Sequence, residues 1–342
     1  MGMVIKLPAH MEKKRLDFLA VGDITTDAFI RLKDAHIHCK IDSDSCELCV
    51  RFGDKIPYEF VEIVRAVGNS PNAAVCAARL GLKSGLATNL GDDENGQECL
   101  GALQREGVVT DYVSIHKKKE TNYHYVLWFD ADRTILVKHH EYSYHLPEIS
   151  PPPRFVYLSS IGAGTEKYHD EITRWLLENP EIRLAFQPGT FQMKLGRERL
   201  KPLYERAEIF VCNMEEARRI LNAKEAGPKE LLKSLRALGP RLVIITDGVK
   251  GSYFSNGRLE LFMPTYPDPE PPYERTGAGD AFAATFTACL SLGITPEEAL
   301  RRAPINSMSV VQFIGAQRGL LSREKIEELL KKAPADYRPR PL

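Results

Sequence analysis

The run Glu274-Arg275-Thr276-Gly277-Ala278-Gly279-Asp280-Ala281-Phe282 combines two things that one reaction needs. A glycine-spaced turn leads into a helix of small residues (Ala281, Ala283, Ala284, Thr285). Such a turn leaves backbone N–H groups without intrahelical acceptors, and the helix dipole there favours negative charge. An anion is stabilised at this place. A carboxylate beside it would compete with the anion, unless it takes a proton from the group that attacks it. Asp280 is therefore a candidate general base, and the amides of Gly277, Ala278 and Gly279 a candidate anion hole. Phosphoryl transfer to a hydroxyl requires that pair of devices. The same residues also read as a strand-to-helix turn with a capping aspartate, so the company they keep decides.

Asn213-Met214-Glu215-Glu216 follows the apolar run Ile209–Cys212 and opens a helix at the carboxyl edge of a strand, where α/β folds place ligands. Asn213 and Glu216 fit a capping box; Glu216 equally suits the orientation of Mg²⁺-bound water near phosphates. Asp27, in Gly22-Asp23-Ile24-Thr25-Thr26-Asp27, either caps a turn or accepts hydrogen bonds from a polyol at a strand end. Gly68, Asn69 and Asn72 precede an alanine-rich helix, as N-caps or as amides for a hydroxylated ligand. Thr246-Asp247-Gly248-Val249-Lys250-Gly251 reads as a hairpin-like turn after Leu242–Ile245. A Walker-type P-loop, His-Glu-x-x-His and Gly-x-Ser-x-Gly are all absent, and Gly162-Ala163-Gly164 lacks the third glycine of a dinucleotide fingerprint.

The elements that must position these residues alternate. Short apolar strands are predicted at Phe18–Val21, Ser84–Asn89, Phe155–Leu158, Arg183–Phe186, Ile209–Cys212 and Leu242–Ile245. Helices are predicted between them, at 72–80, 97–106, 168–178, 214–222 and 229–238, with two more at 295–302 and 322–332. This is the pattern of an α/β fold, a parallel sheet covered on both faces. Two stretches break it: 29–60 and 123–139 alternate apolar and polar residues with period 2, as a half-exposed flap would. A chain of 342 residues, 43% hydrophobic, can bury a large core. Its zero net charge advertises no nucleic-acid or acidic-membrane partner, and no apolar run is long enough for a membrane span. Seven scattered cysteines fit a reducing cytoplasm, and residues 1–17 carry no secretory pattern.

Taken in order, these motifs resemble the ribokinase (PfkB) family of carbohydrate and nucleoside kinases, over about residues 17–321. The resemblance rests on Gly277-Ala278-Gly279-Asp280-Ala281-Phe282, on Asn213 and Glu216 upstream of it, and on Leu90-Gly91-Asp92-Asp93-x-x-Gly96. It implies a three-layer αβα sandwich with a mainly parallel central sheet and a small β-sheet lid. The kinase domain would span 17–334, with lid segments at about 29–60 and 121–140, an N-terminal extension 1–16 and a tail 335–342. It further implies an ATP- and Mg²⁺-dependent kinase acting on the primary hydroxyl of a sugar, or, alternatively, of a nucleoside. Asp280 would deprotonate the acceptor, and Gly277, Ala278 and Gly279 would hold the transferred group. Asn213 and Glu216 would organise Mg²⁺ and phosphates. Thr246, Gly248 and Gly251 would lie along the nucleotide, with Asn306 near the adenine. Asp27, Gly68, Asn69 and Asn72 would hold the acceptor.

Some residues depart from that pattern. Glu274-Arg275 stand where the family commonly has Asp-Thr, which bears on the monovalent-cation site of some members. Val67 replaces a glycine, and Gln187 stands where Asp or Asn is usual. Tyr123, Tyr125, Trp128 and Phe129 either stack a base or form a sheet core. Cys39, Cys46 and Cys49, beside His36 and His38, either pack as small thiols or hold a structural Zn²⁺. An open lid edge invites a homodimer. Other function classes are a catalytically inactive sugar- or nucleotide-binding protein and a dehydrogenase built on Gly162 and Gly164; the retained Asp280 disfavours the first and the missing third glycine the second.

Overall fold

A computed structural model describes residues 15–39, 46–130 and 132–342. Most of the expected extension 1–16 and lid residues 40–45 lie outside them. The strands are β1 (Phe18–Val21), β2 (Thr25–Leu32), β3 (His36–Cys39), β4 (Cys46–Cys49), β5 (Tyr58–Val67), β6 (Ser84–Gly91), β7 (Val113–His116) and β8 (Tyr123–Phe129). They continue with β9 (Asp132–Leu136), β10 (Phe155–Leu158), β11 (Arg183–Phe186), β12 (Ala207–Asn213), β13 (Leu242–Thr246), β14 (Ser252–Ser255), β15 (Glu260–Met263) and β16 (Arg340–Pro341). The helices are α1 (Asn69–Arg79), α2 (Glu94–Arg105), α3 (Glu166–Glu178), α4 (Thr190–Leu195), α5 (Lys201–Arg206), α6 (Met214–Leu221), α7 (Pro228–Arg236), α8 (Ala278–Ser291), α9 (Pro296–Val310) and α10 (Arg323–Lys331).

The main sheet has the order β16-β15-β14-β13-β12-β11-β10-β1-β6-β7. It is parallel from β7 to β13 and antiparallel beyond. Its strands are apolar on both faces because both are covered. Phe18, Ala20, Phe155, Tyr157, Ile209 and Val211 pack with α1, α8 and α9 on one side. Leu19, Val21, Val156, Leu158, Phe210 and Cys212 pack with α3, α6 and α7 on the other. The three-layer expectation is met. Residues 335–342, expected as a tail, close one edge instead: Tyr337 is buried and donates to the Arg301 carbonyl at 2.6 Å, and β16 pairs with β15.

The lid is a four-stranded sheet, β5-β2-β8-β9, with a separate hairpin β3-β4. Its register sorts the two faces. Ile63, Ala28, Tyr125 and Leu136 form one row, exposed to solvent at Ile63, Tyr125 and Leu136. On the inner face Asp27 lies beside His124, Phe29 beside Val126, and Arg31 beside Trp128, which pairs with Arg133. Phe29, Val126 and Trp128 pack on Ile314 of the body. Among the described residues no helix is long and apolar enough to cross a membrane.

The lid's starting point is clamped. Asp93 caps α2 by accepting from the Gly96 amide (3.0 Å), and it also accepts from the hydroxyl (2.6 Å) and amide (3.0 Å) of Thr121. Burial works against this carboxylate, yet those hydrogen bonds hold its pKa below the usual range. A Cβ on Gly91 would sit 2.3 Å from the Lys119 carbonyl oxygen, and one on Gly96 the same distance from that of Gly91. The Gly91-Asp92-Asp93-x-x-Gly96 segment thus fixes where β8, and His124 with it, begins.

Candidate functional site

Asp280 sits in the first turn of α8, whose leading amides have no intrahelical acceptor. Gly277 caps that helix at φ 82°, and a Cβ there would lie 2.2 Å from Ala316 Cβ. Only glycine fits both the left-handed backbone and the space. Around Gly279, by contrast, a Cβ would meet nothing within 4 Å. Gly279 instead faces open space.

Three amides hold the Asp280 carboxylate. Asn69 donates to Oδ1 at 2.7 Å, Asn72 to Oδ2 at 2.8 Å and Gln187 to Oδ1 at 3.2 Å. The predicted helix start at Asn72 moves to Asn69 in α1, so both asparagines lie one turn apart on one face. Both therefore touch the Asp280 carboxylate. The amides are oriented from behind: Gln317 donates to Asn72 Oδ1 at 3.0 Å, and the Tyr157 hydroxyl donates to Gln187 Oε1. With their oxygens engaged, Asn72 and Gln187 turn their NH₂ groups to the carboxylate. Burial raises the Asp280 pKa above the ordinary value, while the three amides and Arg133 pull it down without restoring it. A carboxylate tuned upward is a better proton acceptor near neutral pH.

A cavity of about 310 Å³ opens beside the turn. It is lined by Thr246, Gly248 and Gly251 and by Arg275, Ala278 and Gly279. Volumes of this order suit small ligands. Thr246 lies beside Asn213 in the register of β13 on β12, so both end at the same sheet edge. Asn213 and Glu216 form a reciprocal cap: Glu216 N donates to Asn213 Oδ1 (2.8 Å), and Asn213 N donates to Glu216 Oε2 (2.9 Å). Burial raises the Glu216 pKa, and the negative charge of Asp280 adds to the rise. Asn306 does not line the cavity. It is fully buried, donates to Thr285 Oγ1 at 2.8 Å and accepts from the Leu321 amide at 2.9 Å. Pro304, Ser307 and Met308 of the same helix face the cavity in its place. Phe282 of the glycine motif also lines it, as do Asp268 and Tyr266, which no sequence signal marked.

On the lid side, Asp27 is buried with His124 Nδ1 at 3.4 Å from its Oδ1. Gly68 (φ 123°) lets the backbone pass the Asp23 carbonyl, which would lie 2.9 Å from a Cβ. Glu274 is fully buried. Its Oε1 accepts from Thr276 N (2.8 Å) and Oγ1 (2.6 Å), with Arg133 Nε of the lid at 3.6 Å. The aromatic set divides: Tyr123 and Tyr125 share the outer lid face, while Trp128 is buried against Tyr273 and Phe60. The zinc expectation is overturned. Cys39 and Cys46 are joined in a disulfide, which removes both as thiolate ligands, and only Cys49 of the three remains free. Among the described residues no cluster of three or more ligating side chains occurs.

The comparisons agree with this geometry. Residues 49–323 match the pfkB family carbohydrate kinase model. The chain is 29% identical over 273 residues to a ribokinase of Bacillus subtilis, covering 77% of this chain and 87% of that protein. It is 30% identical over 240 residues to a cytidine kinase of Thermococcus kodakarensis, covering 68% and 83%. Among solved structures, an Arabidopsis thaliana ribokinase complexed with ribose and ATP superposes with a TM-score of 0.76 at 21% identity, covering 93% of this chain and 99% of that one. The chain is a member of the pfkB family of carbohydrate kinases.

Proposed function

We propose that the protein transfers the γ-phosphoryl group of ATP to the primary hydroxyl of a sugar. The observation that carries this reading is the Asp280 carboxylate, held by three amides at the open N-terminus of α8 and bordering a ligand-sized cavity. Asp280 takes the acceptor proton. The amides of Gly277, Ala278 and Gly279 receive the negative charge of the group in transit, so positioning and charge stabilisation supply the rate. Thr246, Gly248 and Gly251 border the nucleotide, and Arg275 brings a positive charge to its phosphates. Oxygen donors at the sheet edge suit Mg²⁺, and Glu216 would hold it through water. The metal, when bound, neutralises phosphate charge.

A nucleoside acceptor is the second reading, favoured by the 30% identity to a cytidine kinase. An ATP-consumption screen over pentoses, hexoses and nucleosides tests both. One clear acceptor class selects between them, and no consumption with any acceptor refutes the kinase reading. A second copy of the chain is the partner that the outer lid row Ile63, Tyr125 and Leu136 suits, and sedimentation of the intact protein checks it.

A further inference from the structure

Two histidines that belong to no motif considered so far, His124 and His139, form a polar seat with Asp27 and Asp23 on the inner side of the lid. It has two sides, each an imidazole against a carboxylate. On one, His124 Nδ1 lies 3.4 Å from Asp27 Oδ1. On the other, His139 Nδ1 lies 3.5 Å from Asp23 Oδ2. The two rings stand 5.2 Å apart, centroid to centroid. Asp23 is held rigidly, accepting from Tyr144 OH at 2.9 Å and from the Gly162 amide at 2.7 Å. A Cβ on Gly162 would press on both Asp23 Oδ2 (3.2 Å) and His139 Nδ1 (3.4 Å), so the backbone makes room for this pair. The seat adjoins the base through the chain itself: Gln187 touches Asp280, and Phe191, four residues on, packs edge-on against His139.

Three atoms in this seat are buried with no hydrogen-bond partner: Asp27 Oδ1, His124 Nε2 and His139 Nδ1. Asp27 and Asp23 are each only 8% exposed. Buried polar atoms left unpaired are costly, so three together signal that a polar ligand completes them. The charge around them selects which. Asp23, Asp27 and Asp280 are carboxylates. Of the inner-face arginines, Arg133 pairs with Glu274 and already offsets part of the Asp280 charge, and Arg31 is held by the Asp130 carbonyl and the Trp128 ring. An anionic group brought here would meet buried carboxylates, whereas hydroxyls can donate to Asp27 and accept from, or donate to, an imidazole.

We propose that His124 and His139 are the specificity-determining residues of the acceptor site. With Asp27 and Asp23 they seat an uncharged, polyhydroxylated acceptor and exclude sugar acids and sugar phosphates. This rests on the phosphotransfer reading above and goes beyond it in naming the acceptor's charge and the residues that read it.

The test measures kcat and KM with neutral acceptors (ribose, fructose, glucose, a nucleoside) against anionic ones (fructose 6-phosphate, gluconate, 2-dehydro-3-deoxygluconate). It is repeated on His124→Phe, His124→Gln and His139→Asn, each checked for folding by thermal melting. The expected result is turnover with a neutral acceptor at least tenfold more efficient than with any anion. His124→Phe raises KM about tenfold or more with a smaller change in kcat, and Gln, which keeps a donor and an acceptor, recovers part of the loss. His139→Asn reads the second side of the seat independently should His124→Phe fail to fold. Preference for an anionic acceptor, or an unchanged KM in the folded histidine variants, overturns this proposal and leaves phosphotransfer standing. No transfer to either class overturns both.

Discussion

Gly277 and Gly279 stand two residues apart, and the structure gives them opposite reasons to be glycine. That makes a paired perturbation informative. Gly279→Ala introduces a methyl with nothing within 4 Å, on a backbone that any residue adopts. Alanine in a helix is favoured over glycine by up to about 1 kcal/mol, so folding is unharmed and Tm does not fall. Gly279 lines the cavity, so under the proposed anion-hole role the methyl would crowd the group held by the amides. A misplacement of about 1 Å costs roughly 10²-fold in rate, so kcat/KM for ATP falls by about that factor. Gly277→Ala behaves differently. Its φ of 82° costs about 1–2 kcal/mol for alanine. Overpacking against Ala316, 2.2 Å from the new Cβ, adds about 1–3 kcal/mol. The sum, about 2–5 kcal/mol, lowers Tm by several degrees. Differential scanning calorimetry and coupled ATP-consumption kinetics on both variants separate the effects. A Gly279→Ala enzyme of unchanged Tm and full activity would refute the anion-hole assignment.

Asp280→Asn should cut kcat roughly 10²–10⁴-fold while nucleotide binding, read by thermal shift, persists. Because burial raises the Asp280 pKa, the folded state holds its proton more tightly than the unfolded one; stability contributed by this group declines as pH rises through that raised pKa. The asparagine variant should therefore match the parent in acid and equal or exceed it at neutral pH, by urea melts at both. Gln187→Leu removes one hydrogen bond that lowers the base's pKa, so the acid limb of the kcat/KM profile should move to higher pH. Arg79→Met strips a paired contact to Glu106 (2.8 and 2.7 Å) and bonds to the carbonyls of Gln317 and Leu320, costing about 1–3 kcal/mol. The Arg79 hydrogen bond holds the Glu106 pKa below 4.5, so that stability is complete above this value and lost as pH falls through the lowered one, and the variant should show a shallower acid dependence. Finally, Arg133 beside Glu274 puts a fixed positive charge at the turn, so kcat should be the same in potassium and tetramethylammonium buffers.

Much of this was written locally. Phe18–Val21 and Phe155–Leu158 are continuous apolar runs, and the strands have those bounds because burial on both faces leaves no other reading. The place of Gly277 and Asp280 at a helix N-terminus was legible because a few adjacent residues mark such a start. What failed depended on distance along the chain. Asn69, Asn72 and Gln187 act on a carboxylate about 90 to 210 residues away, so no local pattern could reveal them as its holders. Asn306 missed the cavity by one helical step, about 100°, since Ser307 faces it. The histidine pair needed the β2–β8 register and the return of the chain to residue 139, neither visible in spacing.

If the proposed sites hold, the ion pair between Arg133 and Glu274 ties the acceptor and nucleotide sites into one equilibrium. Arg133 belongs to the strand next to the one that carries His124, while Glu274 belongs to the segment that leads into Gly277 and α8. Lifting the lid leaves Glu274, fully buried, without that counter-charge. An acceptor that holds the lid down would therefore also steady the turn proposed to receive the phosphoryl group. Thermodynamic reciprocity then requires a nucleotide to raise acceptor affinity by the same factor as the acceptor raises its own. The two substrates should bind with positive cooperativity, and removing either member of the pair should make them indifferent to each other.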